Sequence, residues 1–245
     1  NLFCRLKPVN WKKTFHLPDA AVFLFWLASV VSTFQSDYFY ESFWGNEGRY
    51  SGLFLTTLYM MMYFVVSRFW KIQGWIFHAF LAAGMVVCAI GITDYFQMDI
   101  LSFRVKIRPD QAAVFTSTIG NINTYTAYVA LVMGVAAGIF ALSKNRLTII
   151  WSYLCLFVSF MAIIMGRSDN AYLALGALFA FIPLILFRSR NGALRYLVMV
   201  STFATVIQCV DSINHAYEET VLGLDSLFGI LTDFSGLMLV VVFLW

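Results

Sequence analysis

Residues 124–165 read TYTAYVALVMGVAAGIFAL-SKNR-LTIIWSYLCLFVSFMAIIM. Two 19-residue runs without Asp, Glu, Lys or Arg flank a four-residue turn that carries Lys144 and Arg146. At 1.5 Å per residue each run makes a helix of about 28 Å, close to the thickness of a bilayer's hydrocarbon core. A turn that short returns the chain antiparallel to itself. The stretch therefore reads as two crossings of a membrane joined by a basic turn.

The same alternation extends in both directions. Spans are expected near 20–35, 51–67, 74–92, 124–142, 147–165, 171–187 and 196–210, with the start of an eighth at 236–245. The expected fold class is all-α: one polytopic transmembrane helix bundle over residues 1–245. Its outer loops are expected at 36–50, 93–123, 166–170 and 211–235. Apolar residues are 61% of the chain and charged residues 12%, which excludes an ordinary soluble domain and leaves a lipid bilayer as the first partner. A chain that begins at Asn1 and stops ten residues into an apolar run reads as part of a longer protein.

Charge is sorted by side rather than summarised by the net value of +3. Basic residues occupy alternate connections: Arg5, Lys7, Lys12 and Lys13; Arg68 and Lys71; Lys144 and Arg146; Arg188, Arg190 and Arg195. The other connections hold nearly all the acids, and Asp19 alone sits on the basic side. The positive-inside rule then places the N-terminus in the cytoplasm and the acidic loops outside. Cys4, Cys88, Cys155 and Cys209 have no metal-ligand or disulfide-framework spacing and read as packing residues. Gly134 and Gly138, and the cluster Ala82, Ala83 and Gly84, read as close helix–helix contacts; Pro183 marks a kink. His78 is the only strongly ionisable residue expected well inside a span, whereas ion-coupled transporters carry charges near the midplane.

The chemistry is expected at the outer boundary. Arg49, Arg104, Arg108 and Arg167 lie there against the topology rule, with Lys106 the one lysine. A guanidinium binds phosphate through a planar fork and keeps its charge, so these residues suit a lipid-linked phosphate or pyrophosphate. The plainer reading pairs each with a neighbouring acid, Arg49 with Glu47 and Arg167 with Asp169. Arg49, the pair Asn121 and Asn123, and Arg167 each precede a helix that starts on the outer side, where backbone N–H groups and the positive end of the helix dipole also favour an anion. Ordinary helix capping is the competing role for the asparagines, Ser168 and Asp169.

Three motifs carry a resemblance: Gly-Arg-Tyr-x-Gly-Leu at 48–53, Gly-Asn-x-Asn at 120–123, and Gly-Arg-Ser-Asp-Asn-Ala-Tyr-Leu-Ala-Leu at 166–175. In order and spacing they resemble the O-antigen ligase/polymerase family across most of the chain. The sequence departs from that family at Gly166, where Ser or Thr is usual, and at Ile122, where Pro is usual. The resemblance implies a GT-C-like membrane glycosyltransferase of the bacterial cytoplasmic membrane, with its active site facing outside. Such an enzyme moves or polymerises a glycan from undecaprenyl pyrophosphate onto an acceptor glycan or glycolipid. It implies pyrophosphate-binding roles for Arg167 and Arg49, and further for Arg104 and Arg108; Asn121, Asn123 and Asp169 are expected as additional substrate contacts from their places at outward helix starts. No metal, cofactor or nucleic acid is expected, because arginines neutralise the leaving group. His215 is the one outer histidine and the weaker candidate for the base that activates the acceptor hydroxyl; Asp169 is an alternative, disfavoured by the arginine beside it. The competing function is a lipid-linked oligosaccharide flippase or polysaccharide exporter, which calls for cations in mid-span. A non-catalytic scaffold gives no reason for arginine over lysine.

Overall fold

The computed structural model describes residues 16–46, 50–69, 73–103, 105, 116–217, 221 and 237–245. Among them every regular element is helical. In chain order they are α1 Leu17–Phe34, α2 Phe39–Trp44, α3 Leu53–Phe69, α4 Gly74–Tyr95, α5 Ile122–Leu142, α6 Arg146–Met165, α7 Asn170–Leu186, α8 Arg190–Ala216 and α9 Leu237–Leu244. Five of them, α1, α4, α5, α6 and α8, are long and apolar enough to cross a membrane. The apolar α3 and α7 have 17 residues each and fall short of that length. Large apolar side chains stay exposed on these helices, among them Phe25, Leu131, Ile150, Leu173 and Phe181. A soluble protein would bury such a surface; here it faces lipid, and the chain is a multi-pass membrane protein.

The chain divides into two compact units, Asn1–Gln73 and Gly74–Trp245. In the first, α1 packs on α3 and both contact the short α2. Asp19 explains the lone acid on a basic side. Its carboxylate accepts from the His16 N–H at 2.6 Å, capping α1, and is itself buried. Tyr63 donates to its other oxygen at 2.9 Å, and Arg68 forms an ion pair with it at 2.5 Å. A desolvated carboxylate needs such partners, and α3 supplies both. Further along, the Trp26 indole donates to Thr57 at 2.9 Å. The segment expected as an open outer loop at 36–50 contains α2, whose Phe43 and Trp44 rings pack against each other and against Phe54.

In the second unit α5 and α6 form the most extensive pair, as their three-residue connection dictates. α4 and α8 pack on α6, and α7 lies against α5 and α8. Phe160, Phe179 and Phe203 meet at ring separations of 5.3–6.0 Å in the centre of this core. Arg195 closes the end of α5: its Nη1 donates to the Phe140 and Ala141 carbonyls at 2.8 and 2.7 Å, with the guanidinium 6.0 Å above the Phe140 ring. A cation on the last carbonyls of a helix satisfies acceptors that have no partner within the helix and opposes the dipole.

Several sequence expectations shift. Gly84 does sit tightly, because a Cβ there would come within 2.6 Å of Val132. Gly134 and Gly138 do not: a Cβ on either would meet nothing within 4 Å, so their shared face is open. The close approach occurs instead at Gly91, where a Cβ would lie 2.1 Å from the Tyr125 hydroxyl. That hydroxyl is buried and has no hydrogen-bond partner among the described residues. Asp94, expected in an outer loop, belongs to the last turn of α4 and is buried. It accepts the Ser117 N–H at 2.6 Å, which ties the returning chain to the helix end. Helix α8 likewise continues through Asp211 and His215, which were expected in a loop. Its 27 residues make about 40 Å, longer than a hydrocarbon core of about 30 Å, so polar residues are tolerated at its end. Cys88 and Cys155 are buried free thiols and Cys209 is exposed; Cys4 lies outside the described residues.

Candidate functional site

In the second unit, the end of α4, the start of α5, the α6–α7 turn and the end of α8 come together. The turn begins at Gly166, which is buried; a Cβ built there would stand 3.1 Å from the Thr126 hydroxyl of α5. Arg167 follows with φ of 48°. The left-handed region is uncommon for a residue with a side chain and costs on the order of 1–3 kcal/mol, so the surrounding structure must enforce it.

Ser168 supplies the enforcement. It is 6% exposed, its hydroxyl donates to the Asn123 side-chain oxygen at 2.8 Å, and its own Oγ accepts from the Asn170 N–H at 3.4 Å. One serine thus joins the start of α7 to the start of α5. Asn121 caps α5, its side-chain oxygen accepting from the N–H groups of Asn123 and Thr124 at 3.0 and 3.1 Å. The N–H groups of Asn123 and Thr124 are therefore engaged by the protein, the capping role that competed with anion binding in the sequence. Asn121 and Asn123 use their oxygens in local bonds, which leaves Arg167 as the cationic group of the turn.

Arg167 is exposed and forms no ion pair among the described residues. The competing reading, an ion pair with Asp169, is not made among the described residues. Asp169, also exposed, occupies the N-cap position of α7 without a side-chain cap bond. Tyr95 is buried, and its hydroxyl donates to the Asn214 side-chain oxygen near the end of α8. No family model, curated protein or solved structure matches the chain. What the site can do must therefore be read from its own groups.

His215 follows Asn214 on the exposed last turn of α8. Its Nδ1 lies 3.0 Å from the Asp211 carbonyl oxygen and 3.5 Å from the Asp211 carboxylate. Arg49, Arg104 and Arg108 lie outside the described residues. Among the described residues no group of three His, Cys, Asp or Glu side chains is placed to hold a metal ion. The sequence reading missed Tyr95 and Asn214, which link α4 to α8 at the site. Their signals were present only weakly: a Tyr closing an apolar run and an Asn directly before the outer His.

Proposed function

We propose that the chain is the membrane core of a glycosyltransferase that moves or polymerises a glycan from undecaprenyl pyrophosphate onto an acceptor sugar, as its resemblance to the O-antigen ligase/polymerase family implies. The observation that carries this reading is Arg167: an exposed guanidinium without a carboxylate partner among the described residues, held in a left-handed turn by the Ser168–Asn123 bond. A cation that the fold orients but does not neutralise suits an anion brought by the substrate. Departure of a pyrophosphate from an anomeric carbon places growing negative charge on its bridging oxygen, and a fixed guanidinium stabilises that charge as the C–O bond breaks. The start of α7, whose N-cap Asp169 makes no side-chain cap bond, lies at the same turn, and its partly positive end acts in the same sense.

This reading takes α3 and α7 as crossings too. Each spans about 26 Å, a shortfall that local thinning of the bilayer or anchoring by flanking residues offsets. Seven crossings with the basic connections inside put the N-terminus in the cytoplasm and the Arg167 turn outside, at the face of a bacterial cytoplasmic membrane where lipid-linked glycans are presented.

The test is glycan transfer in liposomes that contain the purified chain, undecaprenyl-pyrophosphate-linked oligosaccharide and an acceptor glycan. Arg167→Ala is expected to lower the rate by about 10²–10³, the usual loss for one electrostatic contact to a leaving group or oxyanion. Arg167→Lys keeps the charge without the fork and is expected to fall between. Transfer undiminished in Arg167→Ala removes the arginine from the mechanism. Movement of the lipid across the bilayer with no transfer identifies a flippase instead.

A further inference from the structure

Four exposed cations lie at the end of the second unit opposite the Arg167 turn. Lys144 sits in the turn between α5 and α6, and Arg146 opens α6; Arg188 sits in the turn between α7 and α8, and Arg190 opens α8. The 20 residues of α6, about 30 Å, separate the first pair from Arg167, and the 17 residues of α7 separate the second. None of the four forms an ion pair or a side-chain hydrogen bond among the described residues. Nor does the surrounding chain offer an acid. Residues 116–217 are described without a gap, and from 116 to 210 the one Asp or Glu is Asp169, in the Arg167 turn.

The fold brings the two turns side by side. Arg195, in the second turn of α8, holds the Phe140 and Ala141 carbonyls at the end of α5, just before Lys144. Helix α7 packs against both α5 and α8, so its own end arrives at the same place. Each turn is also fixed locally. The Asn145 side-chain oxygen accepts from the Leu147 N–H at 3.0 Å, and the Ser189 hydroxyl accepts from the Gly192 N–H at 3.1 Å. A Cβ on Gly192 would fall 2.1 Å from the Leu186 carbonyl oxygen, so the chain reverses between α7 and α8 with main chain against main chain. The result is a set of like charges that repel one another and that an anion from outside the chain would relieve.

The residues beside these cations identify what carries the anion. Leu142, Leu147, Leu184, Phe187 and Leu194 are all exposed next to them along the same helices. A free phosphate or an acidic polymer would use the charges and leave this apolar border in water. A phospholipid uses both, with its phosphate on the cations and the upper part of its acyl chains on the leucines. A zwitterionic headgroup brings a cation of its own against the four, so a lipid of net negative charge is selected. We infer that this end of the bundle binds an anionic phospholipid, its phosphate held between the α5–α6 and α7–α8 turns. The inference needs nothing of the chemistry at Arg167.

Photo-crosslinking on the full chain in nanodiscs tests it. The probes are phosphatidylglycerol and phosphatidylcholine with identical acyl chains that carry a diazirine near the ester, and crosslinked peptides are mapped by mass spectrometry. Phosphatidylglycerol is expected to label the peptides around Leu142, Leu147, Phe187 and Leu194 about tenfold more than phosphatidylcholine, and a large excess of inorganic phosphate is expected to leave that labelling intact. Lys144→Gln with Arg146→Gln, and separately Arg188→Gln with Arg190→Gln, are each expected to reduce it about tenfold, at roughly a factor of five per cation. The comparison of the two lipids uses the native chain alone and so decides even where a variant fails to fold. Equal labelling by the two lipids overturns the inference, as does phosphatidylglycerol labelling confined to other peptides. Displacement by inorganic phosphate overturns it in favour of a free-phosphate site, and undiminished labelling in both folded double variants removes the cations from the contact.

Discussion

Breaking the bond between Ser168 and Asn123 tests whether the Arg167 turn is held by design of the fold or rests there by itself. Ser168 is 6% exposed, so little water can replace the Asn123 oxygen that its hydroxyl reaches at 2.8 Å. Asn123→Ala leaves a buried hydroxyl without its acceptor, a cost of about 1–3 kcal/mol. The left-handed backbone of Arg167 carries strain of the same order, about 1–3 kcal/mol. Because the two quantities are comparable, loss of the bond brings a relaxed turn within reach of the native one. The guanidinium then spends much of its time displaced, and transfer is expected to fall about tenfold, equivalent to about 1.4 kcal/mol. A double-mutant cycle of Asn123→Ala and Ser168→Ala, read from the unfolding of detergent-solubilised protein, is expected to give a coupling of about 0.5–1.5 kcal/mol. Transfer by Asn123→Ala combined with Arg167→Ala should be no lower than by Arg167→Ala alone, since the asparagine acts through the arginine. Additive stabilities within about 0.3 kcal/mol, together with undiminished transfer in Asn123→Ala, would refute the reasoning.

Two further substitutions probe the second unit. Gly91→Ala places a methyl 2.1 Å from the Tyr125 hydroxyl and 2.3 Å from its ring carbon Cζ, and is expected to cost at least about 1–3 kcal/mol. Tyr125→Phe does not rescue it, because the ring is still in the way; thermal unfolding of both single variants and the double shows whether this holds. Arg195→Met removes the two bonds to the Phe140 and Ala141 carbonyls and is expected to lower stability by about 1.5–3 kcal/mol, with partial recovery in Arg195→Lys. Unchanged unfolding in Arg195→Met would mean that solvent satisfies the end of α5.

The positions of the helices were legible because lipid leaves a plain mark: a charge-free run of sufficient length is hard to place anywhere else. Their ends were less so. Beyond the hydrocarbon the chain is free to keep its helix or leave it, and hydropathy is silent on the choice. Asp211, Asn214 and His215 extend α8 on that account, and Asp94 stays in α4 because Ser117 returns to it from 23 positions away. The arginine at the site was legible from its place against the charge pattern. Whether Asp169, two positions further on, would pair with it stayed open, since closeness in sequence within a turn does not decide contact. The link from Tyr95 to Asn214 joins residues 119 positions apart, and a single sequence contains no trace of that distance. The open face of Gly134 and Gly138 teaches the complementary lesson: spacing identifies a surface suited to close contact without saying that contact is made.

The buried partnership of Asp19 with Tyr63 and Arg68 also has a meaning in time. Asp19 leaves the ribosome 49 residues before Arg68. At about 5–20 residues per second, the first helix waits roughly 2–10 s for the residues that will share its carboxylate. Throughout that interval Asp19 has only the local cap from His16. The first helix therefore cannot settle into its final place as an independent event. Synthesis delivers it early, and the set of partners for its carboxylate is complete only once α3 has been made.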